Sequence, residues 1–342
     1  MVVTSSALAG ILFSKQASYC MSSSTVPRVK PPALKPGDMV GVVAPASNVR
    51  RGDLEAGCEG LRRAGYRPFY FDSILDQDLY FAGSVERRSR ELEEMFAREE
   101  VRAIVCARGG YGANYLLPVL DLEKIKAHPK IFVGYSDQTA LLIYFADAAG
   151  LVTFHGPMVA KDWAHEDGVD MASWQAALAG TQAWELNLGA GSGVSALVEG
   201  TAEGILYGGC LSILVASLGT PYEIRTEGTI LFLEDVAAKP YQIDRMLMQL
   251  KLAGKLDAVR GIVFGEMRDC LQTANQGYTL EEVVLRIVGD SGVPVAYGVP
   301  SGHVTAGNIT LPIGVPSKLT VSGGHVNLKT LEAAVAAKAQ KS

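Results

Sequence analysis

Ile131 to Tyr144 reads IFVGYSDQTALLIY, and the interpretation of this stretch decides how the chain is built. Ile131-Phe132-Val133 is a short apolar run of the kind that forms a buried strand, and Thr139 to Tyr144 continues as a helical run. Between them lies Gly134-Tyr135-Ser136-Asp137. A strand that turns sharply into a helix at Gly-x-Ser lifts a serine hydroxyl off a sheet as a nucleophile. The next residue, Asp137, then stands at a helix N-terminus, where unpaired backbone N–H groups receive an oxyanion. The same letters also serve a plain turn, with Ser136-Asp137 capping the helix and Gly134 easing the bend. Gln138 occupies the place of the second glycine of a full GxSxG pattern, so this stretch alone leaves both readings open.

Outward from it, strand-like and helix-like pieces alternate. Met39 to Pro45, Val101 to Cys106 and Leu151 to Gly156 read as strands. Leu54 to Ala64, closed by Gly65, and Val85 to Arg98 read as helices. This alternation predicts a parallel α/β layer with helices on both faces, whose site lies beyond the carboxyl ends of the strands. Gly110, Ser136 and His155 each follow a strand and therefore crowd one edge. Residues 162–203 lose the rhythm, hold Trp163, Trp174 and Trp184, and loosen at the glycine-rich 189–193, so they read as a connector. Beyond it the pattern restarts, with strands at 229–233, 261–265, 294–298, 309–312 and 319–322. Helices are expected at 241–253 and at 279–288, the second opening with a Thr279–Glu282 capping box. From Leu331 the Ala/Lys-rich end reads as a frayed helix. The expected organisation is a tail at 1–33, an N-terminal α/β domain at 34–185, a linker at 186–204, a C-terminal domain at 205–330 and a tail at 331–342.

Composition narrows the function classes. A chain of 342 residues, 48% apolar and 20% charged, suits a soluble two-domain enzyme. Net charge is -5 with acids and bases intermixed, which gives nucleic acid nothing to bind, and no apolar run reaches the ~18 residues that span a bilayer. The five cysteines are scattered and form no CxxC pair, so neither zinc nor a disulfide framework is expected, and a reduced, cytoplasmic setting fits. Residues 1–37 lack Asp and Glu and end in VPRVKPPALKPG. The apolar Ala7 to Phe13 is too short for a secretory signal, and Tyr19 before Cys20 spoils a lipobox. A dispensable tail is expected there, with an organellar transit peptide or an extension upstream of Met21 as the alternatives.

A nucleophilic serine needs a base in hydrogen-bond reach and a third group to hold that base. His128, His165 and His325 lie in polar or loop segments and read as surface residues. His155 ends a strand on the Ser136 edge, and His303 follows Gly302 in a loop after a strand; on residue type alone the two are equal candidates. Glu234 and Asp235 end an apolar strand, where a carboxylate is semi-buried and aimed at an imidazole, or simply solvated. The Gly109-Gly110 pair lacks the spacing of a phosphate loop and serves better as an oxyanion donor. Cys106, inside a strand, reads as core.

Taken together, eight segments resemble the LD-carboxypeptidase family of serine peptidases, in the family's order over residues 34–325: LKPGDMVGVVAPAS, ARGGYGANYLLPVLD, FVGYSDQTALL, TFHGPM, GGCLSILVASLGTPYE, ILFLEDVAAKPYQIDRMLMQLKLAGKL, GIVFGEM and GVPSGHVTAGNITLPIG. The resemblance implies a Ser136 nucleophile, a Glu234 acid and a His303 base, with His155 of the HGPM motif as an element near the site. It implies an oxyanion hole from the amides of Gly110 and Asp137. An exopeptidase must also hold the substrate's carboxylate, for which the bidentate guanidinium of Arg108 is expected, with Tyr111 and His155 as further substrate contacts. The implied fold is a class I glutamine amidotransferase-like α/β layer with a smaller mixed α/β C-terminal domain, as a homodimer needing no metal or cofactor. The implied activity is release of the C-terminal D-residue of a small peptide substrate, the murein tetrapeptide. An immunity-type branch that cleaves peptide-nucleotide antibiotics of the microcin C kind is the alternative, for which Trp163, Trp174 or Trp184 would stack on the adenine. A non-catalytic ligand-binding relative is the alternative of another class.

Overall fold

A computed structural model describes residues 27–180, 182–189, 192–271 and 277–337. The first half forms strands β1 (Met39–Val43), β2 (Arg67–Phe69), β3 (Val101–Cys106), β4 (Ile131–Gly134) and β5 (Thr153–His155). The second contributes β6 (Glu185–Leu188), β7 (Ser195–Val198), β8 (Gly200–Cys210), β9 (Thr229–Glu234), β10 (Gly261–Gly265), β11 (Val295–Val299), β12 (Leu311–Ile313), β13 (Pro316–Ser322) and β14 (His325–Thr330). The helices are α1 (Arg51–Arg63), α2 (Val85–Ala97), α3 (Leu122–Ala127), α4 (Thr139–Ala148), α5 (Met171–Leu178), α6 (Leu211–Ala216), α7 (Pro240–Leu252) and α8 (Leu280–Val288).

Two sheets result. The first has the order β12-β5-β4-β3-β1-β2, and its five early strands are all parallel. In the central strands β1, β3 and β4 nearly every side chain is apolar on both faces, as strands covered by helices on each side must be. The second sheet is mixed, in the order β6-β14-β13-β8-β9-β10-β11-β7, with β8 to β11 parallel at its centre. Thr279 and Glu282 form the reciprocal capping box expected at α8, and Ser84, which the sequence reading did not single out, caps α2 by accepting from the Arg87 amide.

One crossing joins the halves. After β11 the chain leaves the second sheet, and β12 pairs antiparallel with β5 of the first, Leu311 opposite His155 and Ile313 opposite Thr153. Pro312 is tolerated there because β12 is an edge strand. The loop 300–310 is therefore stretched from one sheet to the other, directly over the carboxyl ends of β4 and β9.

Three sequence expectations need correction. Residues 186–204 are not a bare linker, because β6 and β7 lie there and both join the second sheet, β6 on β14 and β7 on β11. These strands are half-buried edges of four residues each, too short to show an alternating pattern against the neighbouring glycines. The segment 27–33 is not free tail: Val29 bridges Leu151, and the Arg28 guanidinium donates to the Ala146 carbonyl at 2.5 Å. The rest of the 1–33 tail, with its transit-peptide and Met21 readings, lies outside the described residues. Residues 331–337 form no helix; Ala334 and Val335 are buried, and Ala336 exchanges backbone hydrogen bonds with Pro31 and Ala33. The end of the chain and the Pro-rich entry thus hold one another, a long-range pairing with no local signal.

The three tryptophans are core. Trp163, Trp174 and Trp184 are 4%, 0% and 2% exposed. Trp174 packs edge-on against Trp163 with ring centroids 4.9 Å apart, and its Nε1–H donates to the Tyr66 hydroxyl at 3.1 Å. Trp174→Ala is expected to cost about 3–5 kcal/mol, from the cavity and the orphaned Tyr66 hydroxyl together, measurable as a lowered urea midpoint.

Candidate active site

Ser136, Glu234 and His303 come from three loops or strand ends and meet at one point. Ser136 follows β4 with φ +62°, a left-handed conformation rare for a residue with a side chain. Backbone strain of this kind costs about 1–3 kcal/mol and persists where surrounding contacts enforce it. It turns the hydroxyl out of the sheet before the short 3-10 turn Ser136–Gln138 leads into α4. His303 Nε2 lies 3.1 Å from Ser136 Oγ, and His303 Nδ1 lies 2.7 Å from Glu234 Oε2. The His303 backbone N–H donates to that same carboxylate oxygen at 3.0 Å. A charged carboxylate only accepts, so the ring proton of neutral His303 sits on Nδ1 and the Nε2 lone pair faces the serine.

Glu234 is 1% exposed. Burial alone would raise its carboxyl, but the charge and hydrogen bonds of His303, together with His155, outweigh this and hold it well below the usual carboxylate range. Gly302 permits the approach: its φ is +95°, and a Cβ there would stand 2.7 Å from Glu234 Cδ and 2.8 Å from His155 Cε1. The loop carrying His303 is closed by Asn308, whose Oδ1 accepts from the Gly302 amide at 3.0 Å and whose Nδ2 donates to the Gly302 carbonyl at 3.1 Å. Asn308 is fully buried and was invisible to the sequence reading, where it sat in a run of small residues.

His155, expected as a substrate contact, is instead buried behind Glu234 with no exposed surface. The Ser301 hydroxyl donates to the Ile309 carbonyl at 2.8 Å, so it accepts from His155 Nδ1–H at 3.0 Å. That leaves His155 Nε2 facing the second oxygen of Glu234 at 3.7 Å. Its register opposite Leu311 in the first sheet fixes this position. Tyr111 is also displaced from the expected place. Its partly exposed ring lines a second cavity of about 380 Å³ between α4 and α6, together with Asn114, Ile143 and Tyr222. Arg108 does line the cavity in front of Ser136, with its guanidinium donating to the Asn48 carbonyl at 3.2 Å.

The loop 108–113 is pinned from several sides. Gln138, the residue that breaks the GxSxG pattern, is buried and donates from Nε2 to the Arg108 carbonyl at 2.8 Å. Asp137 Oδ2 accepts the Ala113 amide at 2.7 Å, and Ser47 Oγ accepts the Tyr111 amide at 3.1 Å. From below, the buried Arg88 donates to the carbonyls of Gly112 at 2.8 Å and Pro45 at 2.5 Å. Sequence reasoning missed Arg88; its signal was a charge on the apolar side of α2. Gly109 lets the loop lie against Ser136, since a Cβ there would meet Ser136 Cβ at 2.7 Å. The Gly110 amide donates to no group among the described residues. A strained serine, an imidazole aimed at it, a buried carboxylate and an uncommitted loop amide make the set of parts found in acyl-transferring hydrolases.

The chain belongs to the LD-carboxypeptidase family: residues 40–156 match the family's N-terminal domain and residues 203–319 its C-terminal domain. It is 39% identical over 297 residues to the probable murein peptide carboxypeptidase of Bacillus subtilis (strain 168), covering 86% of this chain and 92% of that one. Among solved structures it resembles MccF, the microcin C7 self-immunity protein, in complex with glutamyl sulfamoyl guanosine (TM-score 0.82, 25% identity, 90% of this chain and 99% of that one). It also resembles the muramoyltetrapeptide carboxypeptidase of Oxalobacter formigenes (TM-score 0.76, 28% identity, 86% of this chain and 99% of that one).

Burial pushes the Asp137 carboxyl up to about 6, against the hydrogen bonds from Ala113 and Gly112 and the charge of Arg88. A raised acid favours the folded state while protonated, and that advantage fades as pH climbs from the ordinary value through 6. The stability of Asp137→Asn relative to the parent is therefore expected to increase between pH 4 and 6 and then level off. Urea midpoints taken across that range check it, and a pH-independent difference would refute the shift.

Proposed function

We propose that the chain is a serine carboxypeptidase that hydrolyses an L,D-peptide bond and releases the C-terminal D-alanine of murein tetrapeptides, a peptidoglycan-recycling reaction. The observation that carries this reading is the 3.1 Å approach of His303 Nε2 to Ser136 Oγ, with Glu234 holding the other ring nitrogen. Its substrate class draws on the murein-directed names of the relatives in Bacillus subtilis and Oxalobacter formigenes.

In this mechanism His303 takes the Ser136 proton as Oγ attacks the scissile carbonyl. The Gly110 and Asp137 amides receive the oxyanion, and Glu234 keeps the imidazole in its Nδ1–H tautomer and stabilises the imidazolium. His303 then protonates the departing D-amino acid, and a water activated by the same base clears the acyl-enzyme. The pinning of loop 108–113 by Gln138 and Asp137 means that the residues just after the nucleophile also fix the second oxyanion donor. A cytoplasmic homodimer completes the reading; the described cysteines are free and buried, as a reducing compartment allows. Among the described residues no helix is long and apolar enough to cross a membrane.

A second reading, hydrolysis of a peptide-nucleotide antibiotic, has the likeness to MccF in its favour. Against it, Trp163, Trp174 and Trp184 are buried and offer no face to an adenine. The exposed aromatics beside the loop are Tyr80, Tyr111 and Tyr115, which meet one another and Phe81 at tilted or edge-on angles. A non-catalytic role fits poorly with the assembled base and carboxylate.

Mass spectrometry of a defined muropeptide pool, run beside an aminoacyl-sulfamoyl adenylate, is expected to show D-alanine release from tetrapeptides. Ser136→Ala is expected to abolish it, and His303→Ala or Glu234→Gln to lower kcat by roughly 10³–10⁴. Retention of most activity by Ser136→Ala would sink the assignment.

A further inference from the structure

A carboxypeptidase must recognise a free carboxylate on the residue that leaves, and the cavity in front of Ser136 carries more than one cation to choose from. That cavity has a volume of about 260 Å³, and Arg50, Arg108 and Lys161 line it together with Ser136 and His303. Two of the three cations are engaged. Arg50 is largely exposed and donates from Nε to Asp53 at 2.7 Å. Arg108 donates to the Asn48 carbonyl, and it immediately precedes Gly109, the residue laid against Ser136 on the oxyanion side. Lys161 Nζ rests on the Tyr135 ring, and its charge acts on the adjacent Asp162 carboxyl without a side-chain hydrogen bond to it among the described residues. Its neighbour Asp162 is committed elsewhere, accepting the Met158 amide at 2.8 Å and the Tyr135 hydroxyl at 3.5 Å.

The position of Lys161 relative to the base follows from a shared ring. Lys161 Nζ stands 5.3 Å from the centroid of Tyr135, and His303 packs edge-on to the same ring with centroids 5.0 Å apart. Tyr135 is fully buried and cannot swing away. The group that protonates a leaving amine must lie on the leaving side of the nucleophile, so His303 marks that side, and Lys161 touches the same ring and lines the same cavity. Ala160 and Met158, which line the same cavity, leave room for a small apolar side chain.

We propose that Lys161 binds the α-carboxylate of the departing D-residue and is the group that makes this site an exopeptidase, in place of Arg108. The proposal rests on the peptidase reading above. An ammonium that rests on an aromatic face, with no side-chain hydrogen bond of its own, keeps its N–H donors free and its stem able to reach a carboxylate at varied angles. A small D-residue with a free carboxylate satisfies both the cation and the Ala160–Met158 floor, whereas a chain that continued past this point would leave the ammonium facing an uncharged amide.

The test uses two synthetic tetrapeptides ending in D-alanine, one with a free carboxylate and one with a C-terminal carboxamide. The parent enzyme is expected to prefer the acid in kcat/KM by roughly 10- to 100-fold, the worth of a charge-assisted hydrogen bond. Lys161→Met should erase that preference by lowering the rate on the acid, and Lys161→Arg should restore much of it. Lys161→Gln supplies the same contrast should the Met variant fail to fold, with circular dichroism as the check. A preference that survives in Lys161→Met and Lys161→Gln overturns the assignment, as does a preference lost in Arg108→Met alone. A parent enzyme that cleaves both peptides equally also overturns it, while leaving the peptidase reading intact. A parent enzyme that cleaves neither sinks the peptidase reading, and Lys161 falls with it.

Discussion

A carboxylate with 1% of its surface exposed stays charged only if donors surround it, and Glu234 is such a group. The strand that carries it, β9, supplies none of those donors; the His303 ring and backbone N–H do. They reach it because the chain crosses from β11 to β12 and pairs with the far sheet at β5. The crossing, the buried charge and the orientation of His303 are therefore one constraint. Leaving a buried carboxylate without its donors costs more than the ~1–3 kcal/mol of an unsatisfied neutral group, so the folded state itself resists losing the alignment of His303.

The same economy of parts governs the nucleophile's side. Gln138 and Asp137 follow Ser136 directly and tie down the glycine loop opposite it. Strain at Ser136 is sustained by α4 behind it and by the loop in front, where Gly109 leaves no side chain to intervene. Arg88 braces the loop from beneath and holds the turn after β1 with the same guanidinium. Each contact is ordinary in strength, and their convergence keeps a hydroxyl, an imidazole and a free loop amide in register at the carboxyl ends of two sheets.

Much of this was legible along the chain because it is local. Strand ends at Cys106, Gly134 and Glu234, the cap at Thr279, and the sharp turn at Ser136 are written in neighbouring residues. Where the reading failed, the cause was distance. His155 ends a strand on the active edge, yet β12 lies against it and the ring turns behind Glu234. The tryptophans looked available only because no local pattern says which face of a connector is covered. Edge strands β6 and β7 are too short to announce themselves, and the mutual tie of the Pro-rich entry to Ala336 joins opposite ends of the molecule.

The residues themselves determined that this is a layered α/β chain with a serine set on a strand-to-helix turn, since helix periodicity, glycine placement and capping act over a few residues. Local signals left His155 and His303 equal, and the resemblance to a family, carried by segments spread along the chain, favoured His303. Only the tertiary structure decided which imidazole touches the serine in space, which cations line the cavity in front of it, and what Gln138 is for. Ser136 and His303 are 167 residues apart. Nothing short-range relates them, and the pairing of β12 with β5 is what brings them within a hydrogen bond.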